Sequence, residues 1–445
     1  MRIFFSVGEP SGDLHGSNLI RRLKSQQPDI ECVGFGGPKM ESAGCELHFE
    51  LTTMAVMFLE ALKSIRFFFR LIAQADDYFA NNQVDAVVLI DYPGFNWWIA
   101  KKAKKRQIPV FYYGVPQMWA WAPWRVKKIR KYVDHVLCKL PFEVDWFAQR
   151  NCRATYVGHP YFDQLQTQQY DQEFMAGLKN NSGDTSGSQD SASTPSSGST
   201  RLLTLLPGSR DQEVRSVLPV LLNAAAKTVS QVDNCDVAIA CYNDRQQTMA
   251  QEMLQERGLC GASLSTQSVC FTAYVDRTPE LMAASDVCLA CSGSVSLELL
   301  HHRKPTIIVF KIKRWLMVAQ AILMRCKFMT LVNLIAAKDI QRKGWRPYDP
   351  DAPGAEATLM PEYLTTGDPS EQVAARAVEL LSDDALRLKT IAQLDELALK
   401  YAIAGATDRA ADYILEKTRQ RHGRQAIAGR QNDEHSTESE NRSAA

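Results

Sequence analysis

The sequence lacks any run of about 18 uncharged apolar residues, the length that a membrane-spanning helix needs. It also lacks a bulk charge, because 51 basic and 50 acidic residues leave a formal net charge of +1. Its first residues, with one arginine and a short apolar run before Gly8-Glu9, do not resemble a signal peptide. We therefore expect no spanning helix, no bulk attraction to nucleic acid and a reduced, cytosolic protein.

Cysteine is present but lacks the spacing of a metal site. Among eleven scattered cysteines, only Cys288 and Cys291 form a C-x-x-C pair, inside the apolar run SDVCLACSG. No His or Cys partner lies nearby at zinc spacing. We expect a buried strand that uses Cys as a small apolar residue, in preference to a redox or metal pair.

Short, continuous apolar runs alternate with helical patterns along most of the chain. The first half contains RIFFSV, ECVGFGG, VDAVVLID, IPVFYYG, DHVLCKL and ATYVGHP, and the second contains LLTLLPG, CDVAIACY, SVCFTAY, SDVCLACSG and KPTIIVFK. Continuous runs are typical of parallel strands that are buried on both faces. Repeated strand–helix units predict an α/β protein with doubly wound, Rossmann-like sheets.

One polar segment divides the two series of strands. Residues 180–200 contain almost nothing apolar, which is typical of a flexible linker or surface insertion. We predict domains over 1–175 and 201–420, with a linker over 176–200 and a disordered polar tail over 421–445. The last helices could pack back on the first domain. Ligands bind beyond the carboxyl ends of parallel strands, so two such domains would face a central cleft.

The first strand ends in the loop GEPSGD. Its glycines, Gly8 and Gly12, suit a close backbone approach, and Ser11 or Asp13 could cap the following helix. The carboxylates of Glu9 and Asp13 would repel phosphate. A tight turn with a helix cap and a contact to a substrate hydroxyl or sugar both remain open.

A carboxylate also ends the run VDAVVLID. Asp91 stands where this strand should end, before Pro93 and Gly94 break the chain. A carboxylate there is a candidate general base, which Asn96 could orient. The alternative is an Asp that only starts a turn and caps backbone groups.

Three of the eight tryptophans lie within six residues in VFYYGVPQMWAWAPWRVKKIRKYVD, beside a basic run from Arg125 to Lys131. Aromatic and cationic residues together could stack nucleic acid bases or meet an anionic membrane or phosphate. A solvated helix face is the simpler interpretation.

Two loops of the second half suit phosphate groups. In LLTLLPGSRDQEV the amides of Gly208 and Ser209 should lie at a helix start near Gln212, with the Arg210 guanidinium beside them. We favour phosphate binding over a plain turn there. In SDVCLACSGSVSLE the Ser292-Gly293-Ser294 turn suits a diphosphate, and Glu298 could hold a ribose.

Two segments are unusually apolar for surface helices and also carry cations. They are MAVMFLEALKSIRFFFRLIAQ, with Val56, Met57, Phe58, Leu59, Phe67, Phe68 and Phe69, and KIKRWLMVAQAILMRCKFM in the second half. Each could lie in a membrane interface or be a buried core helix.

Taken in order, these stretches resemble the lipid-A-disaccharide synthases. The resemblance is carried by GEPSGD, GFGGPKMESAGCE, VMFLEAL, IDYPGFN, YYGVPQMWAW, RVKKI, LPFE, VGHP, LLPGSRDQEV, ASDVCLACSGSVSLE, MPEYL and GATDRAADYILE. It is collinear over most of residues 1 to about 415.

The resemblance implies a two-domain glycosyltransferase-B fold that needs no metal and no cofactor. It implies a reaction in which UDP-2,3-diacylglucosamine and 2,3-diacylglucosamine 1-phosphate give a β(1→6) disaccharide 1-phosphate and UDP, with inversion at the anomeric carbon. Asp91 would be the base. Gly208, Ser209, Arg210, Ser292, Gly293, Ser294 and Glu298 would bind the UDP-sugar.

The resemblance also implies partners and a location. The acceptor side of the cleft would include Gly8, Ser11, Gly12, Asp13, Asn96, Gln117 and Trp119. The acylated substrates favour peripheral contact with an anionic inner membrane through Val56–Leu59, Phe67 and Phe68. A homodimer is allowed, and nucleic acid is not expected. The alternatives are another UDP-sugar enzyme, such as a sugar 2-epimerase, and a non-catalytic, membrane-associated protein that binds nucleotide sugars.

Overall fold

A computed structural model of the 445-residue chain describes residues 1–52, 64–180, 200–259, 269–291, 295–342, 349–352, 355 and 358–423. The chain forms two compact units. The first consists of Met1–Asp163 together with the chain from Ala404 onwards, and the second of Gln164–Ile403. Residues 164–175, grouped with the first domain on composition, thus belong to the second unit.

The first unit is built on a seven-stranded parallel sheet. Its strands are β1 (Arg2–Val7), β2 (Glu31–Gly36), β3 (Cys45–Glu50), β4 (Ala86–Ile90), β5 (Val110–Tyr113), β6 (His135–Cys138) and β7 (Ala154–Tyr156). They lie in the order β3-β2-β1-β4-β5-β6-β7. Every residue of β4, β5 and β6 is buried, as the continuous apolar runs predict.

Helices follow most of these strands directly. They are α1 (Pro10–Gln26), α2 (Pro38–Ser42), α3 (Ser64–Asn81), α4 (Pro93–Lys105), α5 (Met118–Trp121), α6 (Val126–Tyr132), α7 (Pro141–Ala148) and α8 (Tyr161–Gln166), with a 3-10 turn at Pro123–Arg125. A proline opens α1, α2, α4 and α7. Its fixed φ suits the first helical position, where no amide hydrogen is needed. These prolines therefore place the helix starts close to the strand ends.

The second unit contains a six-stranded parallel sheet. Its strands are β8 (Arg201–Leu206), β9 (Cys235–Cys241), β10 (Phe271–Val275), β11 (Val287–Cys291), β12 (Thr306–Lys311) and β13 (Glu362–Thr365), in the order β10-β9-β8-β11-β12-β13. Its helices are α9 (Gln172–Asn180), α10 (Asp211–Val229), α11 (Asp244–Glu256), α12 (Thr278–Ala284), α13 (Val295–His301), α14 (Arg314–Leu323), α15 (Leu331–Ala336), α16 (Ser370–Ser382) and α17 (Asp384–Tyr401). A last helix, α18 (residues 406–423), belongs to the first unit.

Both sheets follow the doubly wound order in which the first strand lies between the second and the fourth. The chain reverses its winding between β1 and β4 in the first sheet, and between β8 and β11 in the second. Ligands of such folds bind at this switch point, beyond the carboxyl ends of the strands. The loops that the sequence analysis selected follow these four strands.

All eleven predicted strands are present, so the predicted fold class of two Rossmann-like units is confirmed. The described residues also contain β3 and β13, which the sequence analysis did not predict. Cys288 and Cys291 are buried in β11 as unbridged thiols, as predicted.

Candidate active site

The first switch point brings the GEPSGD loop beside Asp91. Val7, the last residue of β1, pairs with Ile90, the last residue of β4. The next residues, Gly8 and Asp91, therefore leave the sheet side by side. Parallel pairing thus places the two loops together although they are more than 80 residues apart in the sequence.

Asp91 and Tyr92 both adopt left-handed backbone conformations, with φ of 46° and 42°. For residues other than glycine this costs about 1–3 kcal/mol each and requires a surrounding structure that holds them. The Tyr112 hydroxyl donates to the Asp91 carbonyl at 2.8 Å, and Asn96 Nδ2 donates to the same carbonyl at 2.8 Å. Such strain is typical of functional sites, and it coincides here with the predicted base.

Asn96 is completely buried and joins β1 to β4. Its Oδ1 accepts from the Ser6 hydroxyl at 2.6 Å, and its Nδ2 also lies 3.2 Å from the carbonyl oxygens of Ser6 and Ile90. The side chain therefore bonds the Ser6 hydroxyl and backbone carbonyl groups, and its bond to Asp91 is to the main chain and not to the carboxylate. Asn96 holds Asp91 through its main chain, so it is a positioning residue.

A lysine that the sequence analysis did not select faces Asp91. Lys139 follows β6, and its Nζ lies 3.7 Å from Asp91 Oδ1, with both side chains 22% exposed. Gly114, which follows β5 with φ of 68°, leaves the space between them open. A Cβ there would lie 3.1 Å from both Asp91 Oδ1 and Lys139 Nζ.

The turn that carries Lys139 is held by Glu143, which is buried at the start of α7. Glu143 Oε2 accepts from the amides of Lys139 and Leu140 at 3.1 and 3.0 Å, and Oε1 accepts from Trp119 Nε1 at 3.0 Å. Burial raises the pKa of Glu143, although these hydrogen bonds oppose the shift. The predicted cleft residue Trp119 therefore supports the Lys139 turn from inside the fold.

Two partly buried histidines have pKa values that the charge of Lys139 helps to lower. Burial lowers the pKa of His15 to about 4, and the Lys139 ammonium group adds to the effect, while Asp163 opposes it. Burial also lowers the pKa of His159 well below its usual value, with Lys139 and His15 contributing. Both imidazoles are therefore neutral at neutral pH. They are candidate hydrogen-bonding groups and not cationic ones.

The residues of GEPSGD mostly serve the fold itself. A Cβ on Gly8 would lie 2.2 Å from the Tyr92 ring, and one on Gly12 would lie 2.8 Å from Val7 Cγ1. Asp13 is buried, and its carboxylate accepts from the amides of Lys39 and Met40 at 3.1 and 3.0 Å, at the start of α2.

Two polar residues of this loop remain at the surface. Ser11 lies exposed in the first turn of α1, and Glu9 is the exposed residue that precedes this helix. Burial of part of its carboxyl group raises the pKa of Glu9, and the nearby Asp91 adds to this effect. Ser11 and Glu9 are thus the side chains of this loop that are available to a substrate.

The tryptophan-rich stretch divides between core and surface. Trp119 is buried, whereas Gln117, Trp121 and Trp124 are exposed, with Trp124 at 60%. The basic residues of α6 are exposed around a buried Val126 and Ile129. This helix thus presents a solvated cationic face beside exposed aromatic rings.

In the second unit, the PGSR loop precedes α10, which begins at Asp211, one residue before its predicted start. Gly208 has φ of 110°, and a Cβ there would lie 2.7 Å from Glu213 Oε2. The Arg210 guanidinium is 81% exposed and pairs with Glu213 Oε1 at 2.9 Å. An incoming diphosphate would therefore compete with Glu213 for Arg210.

A buried glutamine fixes this loop. Gln246 is completely buried in α11, and its Nε2 donates to the Ser209 carbonyl at 2.9 Å, while its Oε1 accepts from the Tyr242 amide at 3.0 Å. These bonds tie the loop after β8 to the loop after β9. The backbone at Ser209 is therefore held independently of the exposed arginine.

The other predicted donor residues follow β11. Ser292, Gly293 and Ser294 lie outside the described residues. Glu298 is 7% exposed in α13. A ribose could contact this carboxylate only from the edge of the sheet where β11 ends.

The predicted membrane residues Val56, Met57, Phe58 and Leu59 lie outside the described residues. Phe67 and Phe68 are half-buried in α3, with ring centroids 5.0 Å from Phe49 and 5.7 Å from Phe95, respectively. Neither presents its whole ring to the surface.

Among the described residues, α14 has a strongly exposed apolar face. Trp315, Val318 and Ile322 are 65%, 62% and 50% exposed, beside Lys313 and Arg314 at the start of the helix. No helix among the described residues is long and apolar enough to cross a membrane. Within the same residues, no group of three or more His, Cys, Asp or Glu side chains could hold a metal ion.

Comparisons with known proteins find similar sequences over most of the chain. A family profile described as lipid-A-disaccharide synthetase matches residues 3–343. The chain is 28% identical over 416 residues to a lipid-A-disaccharide synthase of Myxococcus xanthus, covering 93% of this chain and 97% of the relative. It is 30% identical over 430 residues to one of Prochlorococcus marinus, covering 94% and 100%.

Solved structures share the fold at low identity. Acinetobacter baumannii MurG aligns with a TM-score of 0.55 and 10% identity, over 93% of this chain and 99% of that chain. The UDP-GlcNAc 2-epimerase of Neisseria meningitidis, solved with UDP-GlcNAc, aligns with a TM-score of 0.53 and 11% identity, over 94% and 100%. These likenesses support the two-domain glycosyltransferase-B architecture.

Proposed function

Since this chain belongs to the lipid-A-disaccharide synthetase family and is a glycosyltransferase that forms the lipid A disaccharide, we propose that Asp91 is the base of its reaction. The enzyme uses a UDP-sugar donor and a sugar-phosphate acceptor. In the proposed step, the acceptor hydroxyl oxygen bonds to the donor's anomeric carbon, the bond from that carbon to UDP breaks, and the hydroxyl proton passes to Asp91. A single displacement of this kind inverts the anomeric carbon.

The observation that carries this proposal is the arrangement of the first switch point. Asp91 is the carboxylate at the end of β4, its strained backbone is held by Asn96 and Tyr112, and Lys139 lies 3.7 Å away. A base needs a fixed position relative to the hydroxyl that it deprotonates. The buried Asn96 and Tyr112, which bond the Asp91 carbonyl, provide this position. Lys139 acts here as a positioning residue.

We assign the UDP-sugar to the second unit. Gly208, Ser209 and Arg210 follow β8 at its switch point, where the long helix α10 begins. Amides at a helix start and an exposed guanidinium both favour a diphosphate. Ser292, Gly293, Ser294 and Glu298 complete the proposal on the strength of the family resemblance.

We assign the acceptor to the first unit. Ser11, Glu9 and Gln117 are the exposed polar residues of the predicted loops. Gly8, Gly12, Asp13, Asn96 and Trp119 shape the site through the fold contacts described above. The basic face of α6 could attract the acceptor phosphate or anionic lipid.

We further propose that both substrates carry acyl chains and that the enzyme meets the inner membrane peripherally. The exposed apolar face of α14, next to basic residues, supports this location. The rings of Trp121 and Trp124, beside the cations of α6, support it in the first unit. A homodimer, which the family resemblance allows, stays a prediction that light scattering can check.

The experiment that tests the function uses purified full-length protein with UDP-2,3-diacylglucosamine and 2,3-diacylglucosamine 1-phosphate. We expect UDP release together with a β(1→6)-linked disaccharide 1-phosphate. Epimerised UDP-sugar without disaccharide would instead favour the 2-epimerase alternative. UDP binding without any product would favour a non-catalytic protein.

A further inference from the structure

An apolar groove of about 340 Å³ lies next to the candidate base in the first unit. Phe68, Phe69 and Ile72 of α3 form one side, and Phe95 and Trp98 of α4 form the other. Its volume lies within the range of small-molecule sites. None of the described residues that line it is charged.

The groove is open, with large aromatic groups at its rim. Phe69 is 54% exposed and Trp98 is 42% exposed, with their ring centroids 5.8 Å apart. A contiguous exposed apolar surface favours an apolar ligand, because water gains little by contacting it. A ligand of this groove would therefore present a hydrocarbon group to it.

The groove reaches the base through Tyr92, which follows Asp91 directly and is one of the lining residues. The Tyr92 ring lies 6.3 Å from that of Phe68 and 6.2 Å from that of Phe95. A sugar whose 6-hydroxyl contacts Asp91 would have its acylated 2 and 3 positions across the ring, about one sugar's width from Tyr92 and the groove. Among the two substrates, the acceptor is the one whose hydroxyl meets the base.

We propose that this groove holds one acyl chain of the acceptor sugar and thereby sets the preferred chain length. This inference rests on the function proposed above and adds a specificity site to it. Each methylene that leaves the groove should lower kcat/KM by about fourfold, the usual value for a buried CH₂.

Gly94 provides a way to fill the groove with little disturbance. It is a lining residue in the first turn of α4, and a Cβ placed on it would meet no atom of the described residues within 4 Å. Gly177 in α9 is equally open and lies in the second unit. Gly94→Leu and Gly177→Leu therefore form a matched pair, in which one substitution enters the groove.

The test measures kcat/KM for a series of acceptors of increasing acyl length, with one fixed donor. In Gly94→Leu we expect the ratio of long-chain to short-chain kcat/KM to fall at least about tenfold, equivalent to nearly two displaced methylenes. Gly177→Leu should keep the wild-type ratio. The reverse series, with one acceptor and varied donors, should be the same in all three proteins.

An unchanged acceptor ratio in a folded Gly94→Leu protein would overturn the groove assignment, and so would a change confined to the donor series. If Gly94→Leu does not fold, Trp98→Ala takes its place, because loss of this wall should also lower the long-chain preference. Failure of the wild-type protein to make any disaccharide would instead refute the proposed function. The two failures are therefore distinguishable.

Discussion

The Nζ atom of Lys139 lies 3.7 Å from Oδ1 of Asp91, although the two residues are 48 positions apart in the sequence. The contact exists because β5 lies between β4 and β6, and because Gly114 at the end of β5 has no side chain to separate them. The contact of Asp91 with Lys139 therefore depends on three successive strand ends. The order of β4, β5 and β6 in the sheet therefore sets the distance between these two side chains.

Replacing Lys139 by methionine should lower kcat about 10²-fold, because a displaced reacting group commonly costs this much. Lys139→Arg, which keeps the positive charge, should retain most of the rate. Lys105→Met, exposed in the last turn of α4, is the matched control and should behave as wild type. Steady-state kinetics checks all three.

The charge of Lys139 can also be detected without activity. The pKa of His15 is lowered by burial and then by this ammonium group, so it should rise in Lys139→Met. Titration of the His15 ring by NMR measures the shift. An unchanged His15 pKa would contradict the position of the Lys139 charge near this ring. Full activity of Lys139→Met would contradict the positioning role of Lys139.

Stability should fall in mild acid because of His15. Its pKa is about 4 in the folded protein, so the unfolded chain binds a proton first as the pH falls below about 6.5. The stability that depends on a neutral His15 is fully present above about pH 6.5. It is lost progressively as the pH falls from there through about 4. Between about pH 7 and about pH 5 the loss from this group should be about 2 kcal/mol.

Urea unfolding of the wild type and of His15→Gln at both pH values measures this contribution. The variant should lose less stability than the wild type on acidification, by up to that amount. His135 and His302, whose pKa values are also lowered to about 4 mainly by burial, remain in both proteins and cancel in the comparison. Equal losses of stability in the two proteins would contradict a His15 that stays neutral in the folded protein at pH 5.

Arg210→Ala should weaken UDP binding about ten- to a hundredfold, because it removes a charge-assisted hydrogen bond worth about 1.5–3 kcal/mol. The side chain is 81% exposed, so the free energy of unfolding should hardly change. Arg215→Ala, also exposed on α10, is the control and should bind UDP normally. Calorimetric titration with UDP decides the matter, and equal affinities in the two variants would contradict the proposed diphosphate site.

The α14 surface should determine binding to anionic vesicles. The combined substitutions Trp315→Ser, Val318→Ser and Ile322→Ser should reduce co-sedimentation about tenfold or more. Each of these side chains should contribute at least about 1.5 kcal/mol when it is buried in the membrane interface. Leu388 and Leu399 of α17 and Ile403 just after it are 62%, 67% and 52% exposed, so replacing these three by serine is the control for a loss of three exposed apolar side chains. If both sets of substitutions had the same effect, α14 would not be a specific contact.

Much of this site could be predicted from the sequence because strand ends are visible there. Continuous apolar runs stop at Gly8, Asp91, Pro207 and Ser292, and parallel pairing gathers such ends at one edge. Proline at the first helical position marks where the following helix begins. The position of Asp91 at a strand end and the positions of the loops at both switch points follow from these local signals.

Other contacts could not be predicted, because they depend on pairings that the sequence does not display. Lys139 is a lone lysine before Leu-Pro, and its contact with Asp91 requires the order of β4, β5 and β6. Asp13 binds the amides of α2, 26 and 27 residues further along. By contrast, the Arg210–Glu213 pair has helical spacing and could have been noticed in the sequence.

The most direct test of the account is the rate of disaccharide formation by Asp91→Asn. The substitution keeps the size and the backbone contacts of the residue but removes its ability to accept the hydroxyl proton. We predict a loss of about 10²–10⁴ in kcat, the usual contribution of a general base, with UDP affinity unchanged. A folded Asp91→Asn protein that forms the disaccharide at nearly the wild-type rate would contradict the assignment of Asp91 as the base.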